Sequence, residues 1–281
     1  MVTLADSHIH LFRDGFAGRY GRSPAFAGSD VDVYETFRHV HNIAAALVVG
    51  YEADGIDPSN NAHLRSLAKS RDWMATVAFV AAGQRPHPGQ MEQLFAAGHR
   101  GISLYLTETD SAEAVMEWAS SAWAVLEKHR GIVSVNLTRD AVPAVAALAA
   151  KYEGCSFVIS HLGDPGTFRS APSTVDAAEC IRPLLDLATQ RNVYVKLSGL
   201  YAVSDPPHDY PHLQATPFVE LLLAAYGPER CMWGSDFSPS LDYVSFEQVV
   251  DPPQLAGMTE HEYARVMGGT LMDLLASRFH E

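Results

Sequence analysis

The sequence predicts a (β/α)8 barrel that occupies residues 1–281 as a single domain. Eight short apolar or β-branched segments alternate with longer amphipathic or alanine-rich segments along the whole chain. This alternation is typical of parallel strands joined by helices. No low-complexity linker or internal repeat divides the sequence. An open doubly wound sheet is the alternative, but no GxGxxG motif opens the first helix, and eight strands suit closure into a barrel.

Each element is placed by its own pattern of residues. The strands are expected at 4–11, 44–51, 74–81, 101–106, 132–137, 157–161, 193–200 and 231–236. The helices are expected at 32–41, 60–71, 89–97, 111–129, 139–151, 174–191, 216–225 and 259–278. Ser59 precedes the second helix, Ser111 opens the fourth, and Thr259 with Glu262 forms a capping box for the last. Long irregular loops at 12–30 and 201–214 follow two strands, where functional loops are common.

Composition and charge exclude several classes of protein. The chain is 47% hydrophobic and 19% charged, with a net charge of −13, which disfavours binding to nucleic acid or to anionic membranes. Cys155, Cys180 and Cys231 show no CxxC spacing, which suits a reducing compartment. Neither a signal-peptide pattern nor an apolar run of 18 residues is present. We therefore expect a cytoplasmic protein whose partner is a small-molecule substrate, and homo-oligomer formation is left open.

Polar side chains fall at the predicted carboxyl ends of the strands, where barrel enzymes carry their chemistry. The first strand ends in "DSHIH", and two-residue alternation predicts that Asp6, His8 and His10 share one face. The other polar residues at strand ends are Tyr105, Asn136, His161, Lys196, Ser198 and Asp236. Closure of the barrel would bring these residues together into one site.

Four sequence blocks carry a resemblance to a known family. They are the D-x-H-x-H opening, "SHLGDPG", "YVKLSGLY" and "ERCMWGSDFSP", and they stand in this order across nearly the whole chain. The chain resembles the amidohydrolase superfamily, amidohydrolase 2 group. Within it, the chain is similar to the lactonase branch of 2-pyrone-4,6-dicarboxylate lactonase, 4-sulfomuconolactonase and the sugar lactonases. The resemblance implies a (β/α)8 barrel, hydrolysis of a cyclic ester, and His8, His10, His161 and Asp236 as the catalytic group.

The metal content is left open by a departure from that pattern. Metal-dependent members of the superfamily often place a histidine after the fifth strand, and binuclear members a lysine at the fourth. This chain has Asn136 near the first position and no lysine near the second, which disfavours a binuclear centre. His8, His10 and Asp236, with His161, could still hold one zinc or manganese ion. Some lactonases of this branch work without a metal.

The mechanism predicted for lactone hydrolysis begins with Asp236 as the general base, which activates water and returns the proton to the ring oxygen. His161, together with the His8 and His10 pair or a metal, would polarise the carbonyl. Lys196 is either a second electrostatic stabiliser or a buried lysine paired with a carboxylate.

Substrate contacts are expected from two regions. Arg13 and Arg19, in the first long loop, could grip a substrate carboxylate. Tyr105, Asn136 and Ser198 are expected to contact substrate from the strand ends. Ser103 and Tyr105 stand where some acid-lactone relatives offer arginine, which disfavours a dicarboxylate substrate and leaves sugar lactones or neutral ring esters open.

Two other functions compete with lactone hydrolysis. The first is metal-dependent, non-oxidative decarboxylation of an aromatic or unsaturated acid, which would use the same His-x-His pair and aspartate. The second is a barrel that binds a ligand without turning it over, which the asparagine in the fifth strand favours.

Overall fold

The computed structural model describes residues 2–16 and 29–276. Eight parallel strands stand in sequential order around a nearly closed barrel, with helices between them, so the predicted fold is confirmed. The strands are β1 (Leu4–Ile9), β2 (Ile43–Val49), β3 (Met74–Phe79), β4 (Gly101–Leu106), β5 (Ile132–Leu137), β6 (Ser156–Ile159), β7 (Val193–Leu197) and β8 (Cys231–Trp233). All eight predicted strands are present, and β4 and β5 have the predicted bounds.

The helices are more numerous than the sequence pattern predicted, and several of them are shorter. They are α1 (Asp30–His41), α2 (Asn60–Ala68), α3 (Pro88–Ala96), α4 (Ser111–Met116), α5 (Ser120–Lys128), α6 (Val142–Lys151), α7 (Thr174–Cys180), α8 (Arg182–Leu187), α9 (Leu200–Val203), α10 (Thr216–Tyr226), α11 (Phe246–Val250), α12 (Glu260–Ala264) and α13 (Thr270–Ala276). In the described part of the chain, none is long and apolar enough to cross a membrane.

Three predicted helices are divided, one at a tertiary contact and one at a proline. The segment predicted at 111–129 is interrupted where buried Trp118 donates its indole N–H to the carbonyl of Ala82 at 2.6 Å. The segment predicted at 174–191 breaks before Pro183, which lacks the N–H that would continue the helix. The last helix contains a π-helical turn at Arg265–Gly269, where Gly268 packs against the backbone of β1.

Two hydrophobic layers hold the barrel together. The larger layer lies between the strands and the helices, and it includes Ile102, Leu104 and Leu106, the alternate residues of β4. The smaller layer includes Leu47 and Val49 of β2 among other strand residues, and it is joined by leucines of α13. Because strands of a parallel barrel are buried on both faces, they are almost continuously apolar except where they carry the site.

The first and last strands meet with little regular pairing. Ile9 and Phe237 form an isolated bridge, and the backbone N–H of Asp236 donates to the carbonyl of His8 at 2.9 Å. Asp6 closes the rest of the seam through its side chain: its Oδ1 accepts hydrogen bonds from the N–H groups of Ser235, at 2.9 Å, and His8, at 3.2 Å. The seam therefore joins residues more than 220 positions apart at the place where the catalytic side chains were predicted.

Candidate active site

Four predicted site residues converge at the carboxyl end of the barrel. The Nε2 atoms of His8, His10 and His161 lie 3.6, 3.8 and 4.0 Å from Oδ1 of Asp236. His8 and His10 leave β1 next to each other, with their Nε2 atoms 3.0 Å apart. His161 and Asp236 follow the last residues of β6 and β8, and both have a positive φ, an uncommon conformation for residues other than glycine.

Asp6 departs from the predicted alternation. Its carboxylate contacts Tyr34 of α1, whose hydroxyl donates to Oδ2 at 3.1 Å, and not the rings of the histidine cluster. The register of β1 shifts between Asp6 and Ile9, and this irregularity breaks the strict two-residue period. The backbone N–H groups of Ser235 and His8 and the hydroxyl of Tyr34 all donate to Asp6. Its role is to hold the backbone that carries His8, although burial raises its pKa from 3.8 to about 6.

His10 is held in one tautomer by the strand beside it. Its Nδ1 lies 2.9 Å from the carbonyl oxygen of Val49, which can only accept, so Nδ1 carries the proton. Nε2 of His10 is then a lone-pair acceptor facing His8. Phe12 stacks on the His10 ring with centroids 5.6 Å apart and fixes its plane.

His8 has the opposite tautomer. Nζ of Lys196 lies 3.0 Å from Nδ1 of His8 and donates to Oγ of Ser134 at 2.7 Å. As an ammonium the lysine has donors only, so in that state Nδ1 of His8 accepts and Nε2 carries the proton. His8 therefore donates to His10, and a directed chain of hydrogen bonds runs from Lys196 through both histidines to Val49.

His161 is positioned from behind by β7. Oγ of Ser198 lies 3.0 Å from Nδ1 of His161 and 3.3 Å from its backbone N–H. The hydroxyl accepts from the backbone N–H; when it also donates to the ring, His161 carries its own N–H at Nε2. Gly199 makes room for the ring: it has φ of +66°, and a Cβ there would lie 2.7 Å from Nδ1.

Asp236 is a buried carboxylate with one oxygen occupied. The hydroxyl of Tyr201, on α9, donates to Oδ2 at 2.6 Å, so Oδ1 faces the three histidines. Burial raises the pKa of Asp236 to about 6, opposed by His10, Tyr201 and Lys196. A carboxylate with this pKa is ionised at neutral pH and is still basic enough to accept a proton.

The remaining titratable groups are tuned by burial. It lowers the pKa of His10 and of His161 to about 4 and that of His8 well below its ordinary value, so all three rings are neutral at pH 7. Lys196 is fully buried, and burial lowers its pKa to about 7 while Asp236 and Asp6 oppose the decrease. Such perturbed groups at a cleft are typical of active sites.

A cavity of about 300 Å³ opens above this cluster. Its floor contains His10, His161 and Asp236. Its walls are Phe12, Phe16, Tyr51, Ile56, Tyr105, Asn136 and Pro239. The rings of Tyr51 and Tyr105 contact each other with centroids 4.6 Å apart and form one side of the cavity. Among the described residues that line it, none is a lysine or an arginine.

The other predicted site residues lie in different places. Tyr105 and Asn136 line the cavity, whereas Ser198 lies behind His161 and Lys196 behind His8. Arg13 is exposed, and its guanidinium faces the hydroxyl of Ser59 at 3.5 Å. Arg19 lies outside the described residues, so its proposed contact with substrate stays a prediction. Sequence reasoning gave no role to Tyr201, although the block "YVKLSGLY" ends on it.

The donor atoms at the floor can be compared with a metal site. His8, His161 and Asp236 present ligand atoms within 4.8 Å of one another, a spacing that could hold one ion. A histidine that binds a metal through Nε2 normally donates its Nδ1–H to an acceptor. His10 meets this condition, and Nδ1 of His161 faces Ser198, whose hydroxyl can accept or donate, but Nδ1 of His8 faces the amine of Lys196. The hydrogen bonding of His8 does not fit a resident metal while Lys196 is an ammonium.

Comparison with known proteins gives the chain its relatives. A family model described as "Amidohydrolase" matches residues 5–270. A Burkholderia multivorans protein named L-fucono-1,5-lactonase is 26% identical over 283 residues, covering 94% of this chain and 93% of that protein. A Burkholderia ambifaria protein of the same name is 31% identical over 99 residues, which span 35% of this chain and only 32% of that relative.

Solved structures resemble the whole barrel. An amidohydrolase from Burkholderia multivorans, solved with bound zinc, has a TM-score of 0.75 at 23% identity, covering 98% of this chain and 99% of that one. A Pseudomonas putida protein provisionally named a 2-pyrone-4,6-dicarboxylic acid hydrolase has a TM-score of 0.73 at 21% identity, over 100% of both chains. At these identities the likeness shows a common fold.

Proposed function

Because this chain belongs to the amidohydrolase family, we propose that it is a hydrolase that opens a lactone with Asp236 as its general base. The observation that carries this proposal is the convergence of three neutral histidines on Oδ1 of one buried aspartate, at the floor of a cavity. The relatives named L-fucono-1,5-lactonase support the same reaction class. The family resemblance inferred from the sequence blocks is confirmed by the match over residues 5–270.

Ring opening needs a base, a donor to the carbonyl and a proton for the leaving oxygen. Oδ1 of Asp236 takes a proton from water as the water oxygen bonds to the lactone carbonyl carbon. The negative charge that develops on the carbonyl oxygen is stabilised by the Nε2–H of His161, a donor of the kind that typically contributes about 10²–10³ in rate. The ring C–O bond then breaks, Asp236 returns its proton to the departing alkoxide, and a hydroxy acid is released.

The chain of hydrogen bonds behind the site supports this division of roles. His8 donates to His10 and His10 to Val49, so neither ring is available as the base. Oδ2 of Asp236 is occupied by Tyr201, which directs the free oxygen towards the cavity. We propose that the reaction uses these protein groups alone, because the ammonium of Lys196 at Nδ1 of His8 directs the proton of that ring to Nε2, where a metal would be bound.

The cavity favours an uncharged substrate. Its described walls are aromatic and apolar, with the amide of Asn136 and the hydroxyls of Tyr51 and Tyr105 as polar groups. A carboxylate entering such a cavity would lose its hydration without gaining a cationic partner. Aromatic faces and a few neutral hydrogen-bonding groups suit a neutral ring ester, including the sugar lactones.

The three free cysteines agree with an enzyme of the cytoplasm.

A lactone panel, with and without a chelator, tests the proposal. Neutral lactones should be hydrolysed by the wild-type enzyme at equal rates in both conditions, and lactones that carry carboxylates should react more slowly. Asp236→Asn should lower kcat by about 10³ or more, whereas Asp186→Asn, on the exposed surface of α8, should not.

Three results would contradict parts of this proposal. Release of carbon dioxide from an aromatic acid, without lactone turnover, would establish the decarboxylase in its place. Loss of activity with chelator would overturn the metal-free mechanism. A preference for anionic lactones that disappears in Arg19→Ala would show that the first loop binds a substrate carboxylate.

A further inference from the structure

We propose that Lys196 is a positioning residue that keeps divalent metal ions out of this site by fixing His8 as a hydrogen-bond donor. The inference rests on the metal-free site proposed above but not on the identity of the substrate. In this role the buried lysine determines whether the two histidines at the end of β1 form a metal-binding site or a metal-free site.

The first step is the tautomer of His8. Nζ of Lys196 is 3.0 Å from Nδ1, and as an ammonium the lysine has donors only. Nδ1 must then accept, and the proton on Nε2 occupies the position from which a metal would be bound. His10, 3.0 Å away, already has the ligand tautomer because Val49 accepts from its Nδ1. The two histidines thus differ in one respect, the partner of Nδ1.

The second step is what would replace the lysine. Oγ of Ser160 lies 3.3 Å from Nδ1 of His8 and can accept a proton as well as donate one. Without the ammonium, His8 can donate from Nδ1 to Ser160 and present a lone pair at Nε2. His8 and His10 would then face Oδ1 of Asp236, with their Nε2 atoms at 3.6 and 3.8 Å.

The third step is charge. Lys196 is fully buried, which lowers its pKa to about 7, while the carboxylates of Asp236 and Asp6 favour its charged form. In its charged form it is a cation that lies close to these buried acids and compensates them. Its removal leaves negative charge in a desolvated site, which attracts a divalent cation, whereas its presence repels one.

Metal titration of purified protein tests the inference without any substrate. Zinc binding is measured by calorimetry on chelator-treated wild type, Lys196→Gln and Lys196→Met, each checked for folding by thermal unfolding. Lys196→Gln places an amide oxygen near Nδ1 of His8 and should bind zinc about 100-fold more tightly than wild type. Lys196→Met removes only the cation and should gain about tenfold, and it carries the test alone if the glutamine variant does not fold.

The control is the double variant Lys196→Gln with His8→Ala, which should lose the gain because the metal is bound through His8. Wild-type zinc affinity equal to that of the folded lysine variants would overturn the inference, as would a gain that survives removal of His8. If the lysine variants gain zinc affinity but neither they nor the wild-type enzyme hydrolyse a lactone, the role of Lys196 is supported and the proposed substrate class is contradicted.

Discussion

The hydroxyl of Tyr201 donates a 2.6 Å hydrogen bond to Oδ2 of Asp236, and this contact decides which oxygen of the aspartate can act as the base. Tyr201 is itself held by a stacked contact with Tyr243, with ring centroids 5.0 Å apart. The tyrosine belongs to α9, which begins directly after the glycine that makes room for His161. One short segment after β7 therefore positions both the base and the carbonyl donor.

Removal of this hydroxyl should move the pH dependence of the reaction. A hydrogen bond to a charged group contributes about 1.5–3 kcal/mol, so Tyr201→Phe should raise the pKa of Asp236 by about one to two units. The acidic limb of kcat/KM for a neutral lactone should shift to higher pH by that amount. Tyr226→Phe is the matched control, because that hydroxyl donates to the carbonyl of Leu184 on the helix layer. Equal shifts in both variants would refute the role of Tyr201.

The wild-type enzyme should lose activity below neutral pH. Burial raises the pKa of Asp236 to about 6, and the base must be ionised to accept a proton from water. The rate constant kcat/KM should therefore be constant at pH 7–8 and fall tenfold per unit well below pH 6. A pH-rate profile on a neutral lactone measures this, and a limb near pH 4 would show that another group limits the rate.

The same carboxylate should cost the enzyme stability. A pKa raised in the folded state means that the favourable contribution exists below the unfolded value of 3.8 and is lost as the pH rises through about 6. Asp236→Asn removes this dependence. Its free energy of unfolding relative to wild type should increase between pH 4 and pH 8 by about 1–3 kcal/mol. Denaturant unfolding at both pH values tests it, and an unchanged difference would argue against a raised pKa.

Substitution of two glycines that have a positive φ separates the effect of backbone conformation on stability from the effect of a side-chain clash on catalysis. Gly199 and Gly166 both have positive φ, but a Cβ at Gly199 would meet the His161 ring at 2.7 Å, whereas one at Gly166 would meet no atom within 4 Å. Alanine at either site should cost about 1–2 kcal/mol in the free energy of unfolding. Gly199→Ala alone should also displace His161 and lower kcat by about 10² or more. Equal activities in the two variants would contradict the placement of His161.

The sequence predicted the barrel and the convergence of its strand ends because both follow from periodicity and topology. The break between α4 and α5 could not be predicted from the sequence, because the hydrogen bond from Trp118 to Ala82 is a tertiary contact that no local pattern contains. The face of Asp6 was predicted incorrectly because the irregularity in β1 has no signature in the sequence. Tyr201 was missed for a similar reason: its role depends on the direction of α9, which is set by the loop after β7 and not by residue spacing.

The seam between β1 and β8 also has a consequence for how the enzyme is made. Every contact between Asp6 and Ser235, or between His8 and Asp236, closes a loop of more than 220 residues. Contacts of such high sequence separation are entropically costly and tend to form late in folding. Catalytic competence would then appear only when the last strand docks on the first, so recovery of activity after denaturation would report the final event of chain closure, however early the remaining strands and helices assemble.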